Sequence, residues 1–305
     1  MSSPANRGAF YCIDLWGTPR LTPKQDTKRM SRRTTAIAAA LSMLALGSLV
    51  ITASANPLAI NSFNSGVDKY EQGDYQGAIA DYSKAIEINP QDASAFLNRG
   101  TAKTKLGDYP GSIADFTKAL EINPEYANAF HNRGAAKAEL GDYQGAIADY
   151  NKAIEVNPKD AIAYYNRGNS KSDLDDYQGA IADNTKAIEI NPKFALAYYN
   201  RGNAKYNLED HQGAIADYNK SIEINPRYGN AYGSRGNAKA ELGDYQGAIA
   251  DYNKALEINP QNAYTYLGRG NAREMVNDLK GACDDWRKAV DLGNNLPAEW
   301  VKNQC

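Results

Sequence analysis

The segment GDYQGAIADY stands at Gly73–Tyr82 and recurs unchanged at Gly141–Tyr150 and Gly243–Tyr252. Variants of it begin at Gly107, Asp175, Glu209 and Asn277, so successive copies always start 34 residues apart. Seven units of that length fill residues 59–296: 59–92, 93–126, 127–160, 161–194, 195–228, 229–262 and 263–296. A fixed period of this size indicates an array in which each unit buries its apolar face only against its neighbours.

Each unit reads as a pair of short helices. In the third, NAFHNRGAAKAEL (Asn128 to Leu140) precedes a Gly-Asp break, then YQGAIADYNKAIEV (Tyr143 to Val156) and Asn157-Pro158. Ala146, Ile147, Tyr150, Ala153 and Ile154 recur at the spacing of one helical face. Gly141 suits the left-handed end of the first helix, Asp142 can cap the second, and Pro158 stops it. The expectation is an all-α solenoid of antiparallel helix pairs.

Composition narrows the function classes. Two His and three Cys in 305 residues leave no room for a multi-histidine metal site or a disulfide-dense scaffold. Lys+Arg of 34 against Asp+Glu of 36 gives no reason to expect a nucleic-acid partner.

Residues 1–55 differ from the repeats. They hold seven basic residues and two acidic ones, a charge of +5, and the whole chain is −2, so residues 56–305 carry −7. Lys28-Arg29-Met30-Ser31-Arg32-Arg33 precedes an uncharged run from Ala36 to Thr52 and then Ala53-Ser54-Ala55. Basic, apolar and small-residue regions in that order describe a secretory signal peptide, residues 30–55, cleaved after Ala55. The competing reading is an uncleaved anchor through residues 36–52, at the lower limit of length for spanning. Residues 1–29 read as a non-native or disordered leader, with Met30 as the initiator. The expected location is outside the cytoplasm: periplasm, lumen or cell exterior.

The repeats resemble the tetratricopeptide family. That family places an aromatic at position 4, Gly at 8, Tyr at 17, Ala at 20, an aromatic at 24, Ala at 27 and Pro at 32. The sixth unit supplies Tyr232, Gly236, Tyr245, Ala248, Tyr252, Ala255 and Pro260. The resemblance implies a right-handed superhelix and assigns most of the 21 tyrosines to packing.

Three departures from the family pattern carry expectations. Position 7, commonly Leu, is Arg99, Arg133, Arg167, Arg201, Arg235 and Arg269 in units two to seven, and Ser65 in the first. Position 23 is Asp throughout, which suggests pairs between repeats, Asp81 with Arg99 onward to Asp251 with Arg269. Position 24 is Asn184 in the fourth unit, and position 15 is Asp175 and Glu209 in the fourth and fifth, predicting softness there.

The resemblance also implies a concave surface lined by the first helices. Position 6 gives Asn64, Asn98, Asn132, Asn166 and Asn200, and position 9 gives Asn169, Asn203, Asn237 and Asn271. Amides both donate and accept, as a bound peptide backbone requires. This is similar to the asparagine ladder of the O-GlcNAc transferase repeats; the alternative is that these amides only solvate or cap the face. His131, Tyr165, Tyr199 and Tyr206 lie beside them, as recognition residues or as stacking between repeats. The basic clamp with which some family members hold acidic chaperone tails is missing, since its positions are uncharged.

Cys283 and Cys305 form a candidate disulfide pinning the tail, or remain two thiols. Residues 297–305 read as a cap, with Trp300 and Val301 over the last unit. No nucleophile–base arrangement or phosphate loop recommends an enzyme, and no cofactor is expected. The Asn-Arg-Gly and Tyr-Gln-Gly triplets read as mid-helix packing. The chain is expected to be a non-catalytic scaffold for other proteins or extended peptides, touching a membrane only through an uncleaved N-terminus. A structural homo-oligomer and an envelope binder of small ligands or glycans are the alternatives.

Overall fold

The computed structural model describes residues 56–297, 301, 302 and 305. The expectations for residues 1–55 and for Trp300 fall outside them. Fourteen α-helices and no strand occur among the described residues. They belong to two compact units, which divide after Ile122. The first contains α1 (Pro57–Glu71), α2 (Tyr75–Ile88), α3 (Ala93–Lys105) and α4 (Tyr109–Ile122). The second contains α5 (Ala127–Glu139), α6 (Tyr143–Val156), α7 (Ala161–Ser172), α8 (Tyr177–Ile190) and α9 (Ala195–Asn207). It continues with α10 (His211–Ile224), α11 (Gly229–Glu241), α12 (Tyr245–Ile258), α13 (Ala263–Met275) and α14 (Leu279–Asp291).

Local chemistry sets each turn. The Asp before every second helix accepts a hydrogen bond from the backbone N–H three residues on, as Asp210 does from Gly213 at 2.9 Å. A Cβ on Gly213 would collide with that carboxylate, and one on Gly77, Gly145, Gly179 or Gly247 would meet the preceding Asp in the same way, so the glycine of each Tyr-Gln-Gly triplet belongs to the cap. Its assignment to mid-helix packing is thereby corrected. Gly202, at position 8, does serve packing: a Cβ there would stand 2.7 Å from the Tyr218 ring.

Position 15 is left-handed wherever its φ marks the turn. Gly73, Gly107, Gly141 and Gly243 have φ of 77–82°, and Asp175, Glu209 and Asn277 adopt 61–63°. The Tyr177 hydroxyl donates to Asp175 at 2.6 Å, a compensation not seen for Glu209. Glu209→Gly is therefore expected to stabilise the chain by about 1 kcal/mol. Asp175→Gly should gain less, and urea denaturation of the two variants measures the difference.

Within each compact unit, every second helix packs on the next first helix. First helices also touch one another, α1 with α3 and α5, α7, α9, α11 and α13 in succession, whereas second helices do not. The closer approach of the first helices makes their side the inner one.

The arginine pairs are found inside repeats, not between them. Arg201 Nε donates to Asp217 Oδ2 at 2.9 Å and Nη2 to Oδ1 at 2.6 Å, a bidentate pair across one hairpin. Arg99–Asp115, Arg133–Asp149, Arg167–Asp183, Arg235–Asp251 and Arg269–Asp285 repeat it. The proposed partners Asp81 and Arg99, and their equivalents to Asp251 and Arg269, are thus wrong by one unit. In an antiparallel pair, residues 16 apart face each other, and charge alone could not reveal that. A link to the preceding repeat survives through the third donor: Arg201 Nη1 reaches Thr185 at 3.1 Å and Arg235 Nη1 reaches Asn219 at 2.6 Å.

Two further groups hold each guanidinium site. A position-11 cation reaches the same carboxylate, Lys205 to Asp217 at 2.8 Å, and the Tyr198 ring lies 5.5 Å from the Arg201 guanidinium carbon. The first hairpin, lacking the arginine, supplies Ser65 at 2.7 Å, Lys69 at 2.6 Å and Lys84 at 3.2 Å to Asp81. Burial pushes the Asp81 carboxyl up, but the hydrogen bonds from Lys69, Ser65 and Lys84 outweigh it and hold it down at about 2. A depressed folded-state pKa stabilises above the ordinary carboxylate value of about 4 and loses that contribution as pH falls toward the folded value. Asp81→Asn should therefore be destabilising at neutral pH, and its deficit should shrink between pH 4 and 2 in pH-dependent denaturation.

At the C-terminal end the sulfurs of Cys283 and Cys305 are bonded, with their Cα atoms 5.6 Å apart. Val301 donates to the Pro297 carbonyl at 2.9 Å, and Pro297 is fully buried.

Candidate functional site

Position 24 decides how the inner-face amides point. The Tyr218 hydroxyl donates to Asn203 Oδ1 at 2.8 Å, and the Tyr252 hydroxyl donates to Asn237 Oδ1 at 2.7 Å. Trp286 Nε1 donates to Asn271 Oδ1 at 3.0 Å. An indole N–H only donates, so Asn271 must turn its oxygen inward and its NH2 outward. Asn203, Asn237 and Asn271 consequently present donors in a row, one per repeat.

The fourth repeat breaks that row. Asn184 is 1% exposed; its Nδ2 donates to Ala180 O at 2.9 Å, and its buried Oδ1 has no partner. It cannot reach Asn169 as a tyrosine hydroxyl would, and Asn169 Oδ1 accepts from Asn200 Nδ2 at 2.6 Å.

The position-6 asparagines do not form one continuous ladder. Asn98 is buried in the first compact unit, and Asn132 is half-buried in the second. Asn166 Nδ2 lies 3.2 Å from His131 Nε2, while His131 Nδ1 lies 3.5 Å from Asp160. Burial raises the Asp160 carboxyl, but the His131 contact and the backbone N–H groups of Ala163 and Ile162 outweigh it and lower its pKa.

The aromatic candidates have packing partners. The Tyr165 and Phe194 ring centroids are 4.9 Å apart, as are those of Tyr199 and Tyr228, and Tyr199 also meets Tyr218 at 5.8 Å. Position 34 thus either caps the next helix, as Asp160 does, or stacks, as Phe194 and Tyr228 do without a side-chain cap. These contacts join residues of one repeat through its closing loop. Tyr206 is half-buried beside His211, with ring centroids 5.0 Å apart, and burial with the nearby Glu241 charge raises its hydroxyl to about 12.

A groove of about 270 Å³ opens among α9, α11, α12 and α13. Tyr206, Asn237, Glu241, Tyr245, Tyr252, Asn271 and Met275 line it, and Asn237, Glu241, Asn271 and Met275 are exposed. Sequence reasoning reached Tyr206, Asn237 and Asn271 but missed Glu241, Tyr245 and Met275. The available signal was the loss of bulk beside them: Gly268 stands at position 6, where the first five units have Asn.

A sequence profile described as TPR repeat matches residues 66–107, 100–141, 134–175 and 236–276. One described as tetratricopeptide repeat matches 161–194 and 195–228. The chain belongs to the tetratricopeptide repeat family. Among solved structures, a tetratricopeptide repeat protein from Parabacteroides merdae is similar at 24% identity and a TM-score of 0.63, over 81% of this chain and 98% of that one. MamA aligns at 30% identity and 0.51, over 56% and 94% of the respective chains. YrrB, described as a TPR protein with an unusual peptide-binding site, aligns at 22% and 0.52, over 60% and 95%. No curated protein matches the chain by sequence. No helix among the described residues of this tetratricopeptide protein is long and apolar enough to cross a membrane.

Proposed function

We propose that this chain is a non-catalytic scaffold that binds an extended segment of another protein along the inner face of α9, α11 and α13. The observation that carries the reading is the row of outward NH2 groups at Asn203, Asn237 and Asn271, held by the hydroxyls and indole behind them. An extended peptide repeats its carbonyls along one edge, and fixed donors bind them without losing side-chain freedom. The peptide-binding site of YrrB, a protein of the same fold, supports the reading. Recruitment of partners into a complex is the corresponding biological role.

Asn237→Ala/Asn271→Ala is expected to weaken retention on a random peptide array by about thirtyfold, from two hydrogen bonds of about 1 kcal/mol each. Unchanged retention would remove the groove from the function. Export is part of the proposal, supported by the order of basic, apolar and small residues before Asn56. N-terminal sequencing of the native protein should begin at Asn56; a chain retaining residues 36–52 would instead favour the anchor.

A further inference from the structure

The groove holds a carboxylate that no Lys or Arg among the described residues pairs with. Glu241 is exposed, its carboxylate meets the Tyr206 hydroxyl at 3.4 Å, and it makes no ion pair with a Lys or Arg among the described residues. The cations of the same helices are engaged elsewhere. Arg201 and Lys205 serve Asp217, Arg235 and Lys239 serve Asp251, and Arg269 and Arg273 serve Asp285. Glu274, half-buried on α13, likewise makes no ion pair among the described residues. Negative charge on this face is thus available to a ligand, while its positive charge is spent on the fold.

A solitary exposed glutamate is ordinarily just solvated. Glu241 differs in its surroundings. It stands in a concavity with Tyr206, Tyr245 and Met275, and Met275 is 56% exposed. Aromatic faces, a flexible thioether and one carboxylate suit a long aliphatic stem ending in a cation. The outward amides of Asn237 and Asn271 line the same groove, where the main chain carrying that side chain would lie.

We infer that the groove selects a basic residue in the bound peptide. Glu241 receives the lysine or arginine head group, Tyr206 and Met275 cover its stem, and Asn237 and Asn271 hold the adjoining carbonyls. This rests on the peptide-binding reading and adds its specificity.

The test uses the full chain and short synthetic peptides of Ser, Ala, Thr and Gln that differ only in a central Arg, Lys, Met or Glu. Fluorescence anisotropy should find the Arg and Lys peptides bound about fivefold tighter than the Met peptide, with Glu weakest. The preference should shrink as ionic strength rises. Glu241→Gln, a change at an exposed position, should bring the affinity of the Arg peptide down to that of the Met peptide. An unaltered Arg-to-Met ratio in that variant, or no preference in the parent, would overturn basic selection. If Asn237→Ala/Asn271→Ala then still weakened all four peptides, peptide binding itself would stand. If no peptide bound the parent, both readings would fall.

Discussion

Tyr218→Asn should cost the chain about 3–5 kcal/mol, the range for truncating a buried aromatic. The ring is 1% exposed, packs over Gly202, touches Tyr199 and carries the hydroxyl that fixes Asn203. The substitution copies the fourth repeat into the fifth, so the natural chain already contains the reciprocal experiment. Asn184→Tyr should stabilise by about 1–2 kcal/mol, because it refills the slot over Gly168 and removes a buried amide oxygen without a partner. It should also supply Asn169 with a hydroxyl and release Asn200. Repeat arrays need not unfold in one step, so hydrogen exchange resolved by helix is the appropriate measure. Protection should fall first in α9 and α10 for Tyr218→Asn, and rise in α7 and α8 for Asn184→Tyr. A loss below about 1 kcal/mol in the first variant would show that position 24 does not hold the hairpin.

Asp217→Ala should be comparably severe, about 3–5 kcal/mol, because it strands two cations. The Asp217 side chain is 5% exposed and that of Arg201 18%, while Lys205 also points to the lost carboxylate. Removing Arg201 as well should recover part of the loss, since the stranded charge dominates the cost. A double-mutant cycle also tests the pairing. Asp217 and Arg201 should couple by more than about 1 kcal/mol, and Asp217 with Arg235 should be nearly additive. The opposite result would restore pairing between repeats.

The fold was legible because three local signals agree at one period. Glycine or a left-handed substitute at position 15 and aspartate at 16 in every unit, with proline at 32 in the first six, fix where the helices start and stop. Two of the three non-glycine turns, Asp175 and Glu209, were visible as departures; Asn277 passed as an ordinary variant until its φ of 63° placed it with them. The charge partners were not legible. Arg and Asp recur together in every unit from the second to the seventh, so composition and order fit either pairing, and only the hairpin geometry separates them.

The site was partly legible for a similar reason. Repetition marked Asn203, Asn237 and Asn271, but it could not show that an aromatic behind each one sets its direction. Glu241 and Met275 occupy position 13, which varies among Glu, Lys, Asp, Asn and Met from unit to unit and therefore gave only a weak periodic signal. Asn98 and Asn166 looked equivalent by spacing, yet one is buried and the other is joined to His131.

Because each arginine closes on the aspartate of its own hairpin, charge balance is independent of copy number. Excising or inserting one 34-residue block leaves no guanidinium or carboxylate without its mate, at the splice or at either end. Only the third arginine donor changes hands, from one neighbour's Ser, Thr or Asn to another's. Pairing across the junction would instead have left an orphan charge at every new terminus. The array is in this sense extensible, and its length can change by whole blocks without electrostatic repair.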